Sequence, residues 1–184
     1  RTVGTFRERM PTSECILNKA SLTKHLPEII SWVAFVGLVA PVLVAAGQPV
    51  LTDDTWLHLA LGKAYAAVGP WLDADPLLAS PLGPPTPTAW LFDVGLFGIE
   101  RWAGFTGLRA IHLVGVAAVL ALAWWLLRRA SGSRIFASLG CGLFAALAAY
   151  RLIQLRPHLF TLLAALTLYW LLLESTSPPS RKRI

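Results

Sequence analysis

The stretch Thr52–Ser80, which reads TDDTWLHLALGKAYAAVGPWLDADPLLAS, determines how the rest of the chain is organised. It lies between two long apolar segments and carries four of the ten acidic residues, namely Asp53, Asp54, Asp73 and Asp75. Carboxylates are costly to place in hydrocarbon. A pair directly after an apolar segment, followed by a pair in a Pro/Gly-containing loop, therefore predicts an ordered loop at a membrane surface.

The flanking segments predict an all-α, polytopic membrane protein. The chain has 184 residues, of which 55% are hydrophobic, and its mean hydropathy is +0.60. Apolar runs of about 18 or more residues with few charges indicate membrane-spanning helices. Four spans are expected within a transmembrane domain at 29–173, namely 29–47, 108–127, 135–155 and 157–173. An outer loop at 48–107 connects the first two spans. Cytoplasmic tails are expected at 1–28 and 174–184.

The ends of the chain carry two further expectations. Residues 1–28 are mixed and polar, which predicts a loose tail or a short interfacial helix. A cleaved signal peptide is the alternative for the first apolar run, but its leader and its core are both long, which favours an uncleaved anchor.

The net charge of +6 indicates topology rather than nucleic-acid binding. With a cytoplasmic N-terminus, eleven of the sixteen basic residues fall on the cytoplasmic side, as the positive-inside rule predicts. The acidic loop then lies outside. The cytoplasmic set is Arg1, Arg7, Arg9, Lys19, Lys24, Arg128, Arg129, Arg134, Arg181, Lys182 and Arg183.

Two interfacial helices are predicted inside the outer loop. The first, at 54–68, is capped by Thr52 or Asp53, is too short to span, and carries Asp54 and His58 on one face. The second, at 88–103, is aromatic and contains Asp93. The alternative is that this second segment spans the bilayer. Asp93 would then lie near the centre of a span, where a charge costs roughly 2.5–3.5 kcal/mol.

Cations at the outer ends of the spans face the acidic loop in this topology. Arg109 and His112 begin the second span, and Arg156 and His158 surround the turn between the third and fourth spans. A guanidinium matches phosphate oxygens, whereas a carboxylate can accept a proton or hold a divalent cation. The simpler alternatives are that Asp53 only caps a helix and that Arg109, like Arg151, only extends to the headgroups.

Asp53-Asp54-Thr55-Trp56, directly after the first span, resembles the start of the first outer loop in C-type integral-membrane glycosyltransferases. These include protein O-mannosyltransferases, bacterial lipid A aminoarabinose transferases and uncharacterised bacterial relatives. Pro84-Pro85, Trp90-Leu91, Gly104 or Gly107, and Leu108-Arg109 follow the order of that loop. The chain departs from the family in having fewer spans, about half of the usual number or less, so the resemblance implies the N-terminal part of such an enzyme. It also has Asp54 where the mannosyltransferases typically have Glu.

The resemblance implies transfer of a sugar from a polyprenyl-phosphate-linked donor to a hydroxyl acceptor, on the outer face of a bacterial inner membrane. Asp53, or otherwise Asp54, would be the base, and a lipid, glycan or protein would be the acceptor. The donor phosphate would be bound by Arg109, His112, Arg156 and His158. The acceptor or a divalent cation would be held by Asp73 and Asp75. The need for a metal stays open. The alternative is a non-catalytic helical subunit or lipid-binding scaffold. A small transporter is disfavoured because the middle parts of the four spans lack ionisable groups.

Overall fold

The structure, a computed structural model, describes residues 12–48, 53–80 and 83–176. These residues form five helices and no strand, which confirms the all-α prediction. The helices are α1 (Thr12–Ala46), α2 (Asp53–Val68), α3 (Trp90–Ser131), α4 (Arg134–Leu152) and α5 (Pro157–Thr176).

Four of the helices in the described part are long and apolar enough to cross a membrane, which indicates an integral membrane protein. The candidate spans are His25–Ala46, Trp90–Ser131, Arg134–Leu152 and Pro157–Ser175. They cover the four predicted spans except for Gly47 and residues 153–155, where the chain leaves α1 and α4. α2 is shorter and is not among the candidates.

The N-terminal helix is longer than the sequence predicted. α1 begins at Thr12 and continues through Pro27 and Pro41, so residues 12–28 extend the first span as one helix instead of forming a separate tail. Proline removes one backbone hydrogen bond but does not end every helix, particularly in apolar helices whose neighbours compensate. Of the two alternatives predicted for this segment, residues 12–27 are therefore helical, and the helix is continuous with the first span.

The predicted turn at 104–107 is a kink within one helix. α3 joins the predicted second loop helix to the second span, and Gly104 alone is non-helical, with φ 62° and ψ −163°. This region of backbone space is essentially restricted to glycine. Gly107 does not break the helix, but a Cβ there would lie 2.5 Å from the Cβ of Ala103. The bend therefore needs Gly104 for its backbone conformation and Gly107 for the space beside Ala103.

The main core lies between α1, the second segment of α3 (105–131), α4 and α5. α1 packs most extensively on α4. Small side chains allow this approach: a Cβ on Gly142 would lie 3.0 Å from Leu38 of α1. The buried residues of this cluster are Val39, Val42, Ala46, Val116, Val119, Leu120, Ala123, Cys141, Ala145, Leu152 and Leu159.

A second, smaller core joins α2 to the bundle. α2 packs on the first segment of α3 (90–103), and Leu59, Leu96, Leu108 and Leu155 are buried together there. The bundle consequently has two different ends. We call one of them the loop end; it contains Gly47, α2, the Gly104 kink and the α4–α5 turn. We call the other the basic end; it contains Glu28, Arg128, Arg134 and Glu174.

Candidate functional site

One face of α2 carries three residues at four-residue spacing, which places them above one another along the helix. These are Asp54, His58 and Gly62. Asp54 lies against the α4–α5 turn, whereas His58 and Gly62 both lie against Asp93 of α3. The first two were predicted to share a face, and the structure confirms that both point towards the rest of the protein.

Asp54 forms an ion pair with Arg156, which lies in the turn between α4 and α5. The two residues are 102 positions apart, and both side chains are about one-third exposed. The Nε atom of Arg156 is buried and has no hydrogen-bond partner among the described residues. The pair thus joins a predicted acid to a predicted phosphate-binding cation, and leaves one guanidinium donor for another group.

His58 and Asp93 form the second pair, with Nδ1 and Oδ1 separated by 2.6 Å. Asp93 is only 3% exposed, and the ring of Phe92 packs edge-on against His58 at 5.3 Å. A buried carboxylate requires such a partner because its desolvation is costly. The charge of Asp93 was the reason to predict that the segment 88–103 does not span the bilayer. The structure buries this carboxylate within the protein, against α2.

The close contact between α2 and α3 depends on Gly62. A Cβ at this position would lie 2.1 Å from the backbone oxygen of Asp93 and 2.6 Å from its carbonyl carbon. No side chain can be accommodated at such distances without separating the helices. Gly62 therefore allows the approach that brings His58 to Asp93.

The other predicted cations contact the backbone at helix ends. Arg109 donates from Nε and Nη2 to the Gly47 carbonyl, at 3.0 and 2.5 Å, where α1 ends. His112, 1% exposed, donates from Nε2 to the Leu152 carbonyl at 2.9 Å, and His158 donates to the Arg151 carbonyl at 2.8 Å, both at the end of α4. These bonds satisfy carbonyls that a helix leaves unpaired.

The second acidic pair lies further along the loop. The Oδ1 atom of Asp75 accepts a hydrogen bond from the backbone N–H of Leu77 at 2.9 Å, which closes a turn, and Asp73 is exposed. No group of three potential His, Cys, Asp or Glu ligands occurs in the part of the chain that the structure describes. Asp75 thus shapes the loop, and the geometry assigns no metal to this pair.

Tyr65 connects the loop electrostatically to the His58–Asp93 pair. Burial raises the pKa of its hydroxyl, and the negative charges of Asp93 and Asp75 raise that pKa further. The hydroxyl therefore ionises at higher pH than that of an ordinary tyrosine, and in its protonated form it can donate a hydrogen bond.

The loop end therefore collects most of the residues that the sequence singled out. Asp54, Arg109, His112, Arg156 and His158 all lie there, whereas the side chain of Asp53 lies outside the described part, although its backbone begins α2. Sequence reasoning missed the His58–Asp93 pair. The only signal in the sequence was two polar residues in two otherwise apolar helices, and nothing in it indicated that these helices would meet.

The comparisons with known proteins place the chain in no family. No family model, curated protein or solved structure matches it. Its function has to be argued from the geometry of the loop end. A carboxylate–guanidinium pair beside a carboxylate–imidazole pair can bind an anion and move a proton.

Proposed function

We propose that the loop end is the outer-face site of a membrane glycosyltransferase, which transfers a sugar from a polyprenyl-phosphate-linked donor to a hydroxyl acceptor. The observation that carries this proposal is the Asp54–Arg156 pair. This pair brings the acidic start of α2 next to the cationic α4–α5 turn. A transferase site needs such proximity between the carboxylate that activates the acceptor and the cation that binds the phosphate.

The proposal places α2 and the first segment of α3 in the membrane interface. α3 has 42 residues, and at 1.5 Å per residue it extends roughly 63 Å, about twice the 30 Å hydrocarbon core. The kink at Gly104 separates a segment of spanning length from the first 14 residues. α2, with 16 residues, is likewise short for a span. Trp102 and Trp71, which are 91% and 81% exposed, are suited to the headgroup region.

In this mechanism the acceptor hydroxyl oxygen forms a bond to the anomeric carbon as the bond from that carbon to the phosphate oxygen breaks, with inversion. The hydroxyl proton passes to Asp53, whose neighbour Asp54 holds Arg156. The phosphate leaving group gains negative charge. Arg156, through the guanidinium donors that Asp54 does not use, and Arg109, through the donors that Gly47 does not use, would stabilise that charge.

The His58–Asp93 pair adds a further proton acceptor to this site. Asp93 accepts the Nδ1–H hydrogen bond, which leaves the Nε2 atom of His58 able to take a proton. His58 lies one helical turn from Asp54 on the same face of α2.

The test is the double variant Asp53→Asn/Asp54→Asn in the full-length protein, reconstituted in liposomes with a polyprenyl-phosphate sugar and a hydroxyl acceptor. We expect transfer to be lost while membrane insertion persists. The matched control is Glu174→Gln at the basic end, which should retain activity. Normal turnover in the double variant would refute the assignment of the base.

The orientation of the chain has its own test. A cysteine introduced as Ala74→Cys in the loop should react with an impermeant thiol reagent added to intact cells. Labelling that occurs only after lysis would place the loop in the cytoplasm and would contradict the outer-face site.

One observation favours the second candidate, a helical subunit or scaffold. Arg109, His112 and His158 each bind a backbone carbonyl at the end of a helix, which is a structural role. The variant Arg109→Ala separates the two candidates. Weaker donor binding with unchanged acceptor binding supports the enzyme, whereas reduced stability with unchanged donor affinity supports the scaffold.

A further inference from the structure

A groove between α1 and the second segment of α3 lies away from the loop end. Its volume is about 530 Å³, and its walls are entirely apolar side chains. Trp32 and Trp124 lie across it, with ring centroids 6.0 Å apart. The α3 wall runs from Ala117 to Trp125, which corresponds to roughly 12 Å of helix at 1.5 Å per residue. One leaflet of hydrocarbon is about 15 Å thick, so the groove matches the depth that an acyl chain occupies.

A cationic pocket adjoins the groove at the basic end. A second cavity of about 420 Å³ shares Trp124 and Trp125 with the groove and is otherwise lined by Arg128, Arg129 and Gly132. Each arginine stacks on the tryptophan four residues before it, at 5.4 and 5.5 Å from the ring centroid. Tryptophan followed by arginine is the order expected from hydrocarbon to headgroup.

The two arginines face different neighbours. Arg129 pairs with Glu174 of α5 at 3.1 Å, and its Trp125 packs on Trp170 of the same helix. Arg128 stacks on Trp124, which faces α1, and no carboxylate of the described residues pairs with it. The positive charge at the mouth of the groove is therefore that of Arg128.

We propose that this surface binds one anionic glycerophospholipid, with an acyl chain in the α1–α3 groove and the headgroup phosphate on Arg128. The apolar walls select a hydrocarbon chain, and the guanidinium selects a phosphate without a balancing cationic headgroup. Charge complementarity is what distinguishes this occupant from a zwitterionic lipid or an uncharged helix. The site is independent of the glycosyltransferase proposal because it lies at the opposite end of the bundle.

Native mass spectrometry of the full chain in detergent provides the test. The protein is titrated with phosphatidylglycerol and with phosphatidylcholine of identical acyl chains. We expect several-fold higher retention of phosphatidylglycerol, and we expect Arg128→Gln to remove that preference. Arg134→Gln is the matched control, since Arg134 lies at the same end but pairs with Glu28 outside the groove, and it should keep the preference.

A second variant tests the hydrocarbon part separately. Ala121 is exposed and lines the groove, so Ala121→Phe should fill it and lower the retention of both lipids without changing the helical circular dichroism of the protein. Equal retention of the two lipids by the wild type, or an unchanged preference in Arg128→Gln, would overturn the proposal. Displacement of the lipid by millimolar inorganic phosphate would also overturn it, because the acyl chain would then contribute no binding. If Ala121→Phe abolishes self-association instead of lipid retention, the occupant is a second copy of the chain.

Discussion

The loop end and the basic end both carry acidic and basic side chains, but they use them differently. At the loop end the charges are withdrawn from solvent: the His58 and Asp93 side chains are 16% and 5% exposed. At the basic end, those of Arg129 and Glu174 are 40% and 49% exposed. A buried pair is strongly destabilising to break, whereas an exposed pair contributes little. The loop end is thus stabilised by a buried polar pair in addition to its apolar core, whereas the Arg129–Glu174 pair at the basic end contributes little.

The cations of the two ends also have different partners. Arg109, His112 and His158 bind backbone carbonyls at the loop end. Arg128 and Arg129 stack on tryptophan rings at the basic end. A carbonyl holds a cation in one place, while a ring face leaves its N–H groups available to a phosphate. This difference, together with the pairing of Arg129 with Glu174, is the reason why we assign lipid binding to Arg128.

The largest expected difference between the ends comes from removing one member of a pair. Asp93→Ala leaves His58 without its partner and should lower the free energy of unfolding by about 3–5 kcal/mol. Glu174→Ala, the matched change at the basic end, should cost less than about 1 kcal/mol. Equilibrium unfolding in mixed micelles with increasing SDS, followed by tryptophan fluorescence, measures both. Equal losses would show that burial does not distinguish the two pairs.

A smaller loss is expected where α2 approaches α3. Gly62→Ala places a Cβ against the backbone of Asp93 and should cost about 2–3 kcal/mol, as overpacking does. Gly95→Ala is the control, because nothing lies within 4 Å of a Cβ at Gly95, and alanine is the better helix former. The same unfolding measurement applies. If Gly62→Ala is as stable as the wild type, the two helices are not in close contact.

The next smaller effect is the cost of replacing a glycine that has a positive φ, which should differ between the two ends. Gly104 has φ 62° and ψ −163°, and Gly104→Ala should cost about 2 kcal/mol. Gly132, at the basic end, has φ 65° and ψ 0°, a left-handed conformation in which alanine should cost about 1 kcal/mol. Neither site has a neighbour within 4 Å of the new Cβ, so the comparison isolates the backbone. The opposite ranking would indicate that α3 does not bend at Gly104.

The smallest expected effect concerns the two arginine pairs that link distant parts of the chain. Arg156→Gln breaks the partly buried pair with Asp54 and should cost about 1 kcal/mol, whereas Arg134→Gln breaks the more exposed pair with Glu28 and should cost roughly half that or less. Raising the salt concentration should weaken the second pair more than the first. Thermal unfolding at two salt concentrations would test this, and an equal salt dependence would contradict it.

The lengths of the apolar runs predicted more of this fold than the positions of the polar residues did. Each predicted span corresponds to a candidate span, because an apolar run long enough to cross hydrocarbon has few other uses. Three of the four agree within a few residues, whereas the second candidate, Trp90–Ser131, also includes the segment predicted as the second loop helix. Between 104 and 107 the chain does change direction, but only at Gly104, because a glycine marks a change of direction without saying whether the helix resumes on its far side. The first span was predicted to begin with the apolar run at 29, whereas the helix begins at Thr12, because polar residues before an apolar run can also be helical.

The sequence by itself determined which segments are helical, and it placed Asp54, Arg109, His112, Arg156 and His158 at helix ends. Only the tertiary structure decided which of these groups meet. Asp54 with Arg156, and His58 with Asp93, are contacts across 102 and 35 residues, and they depend on how closely two helices approach. That approach is set by small residues such as Gly62, whose effect lies in the space they leave rather than in any pattern along the chain.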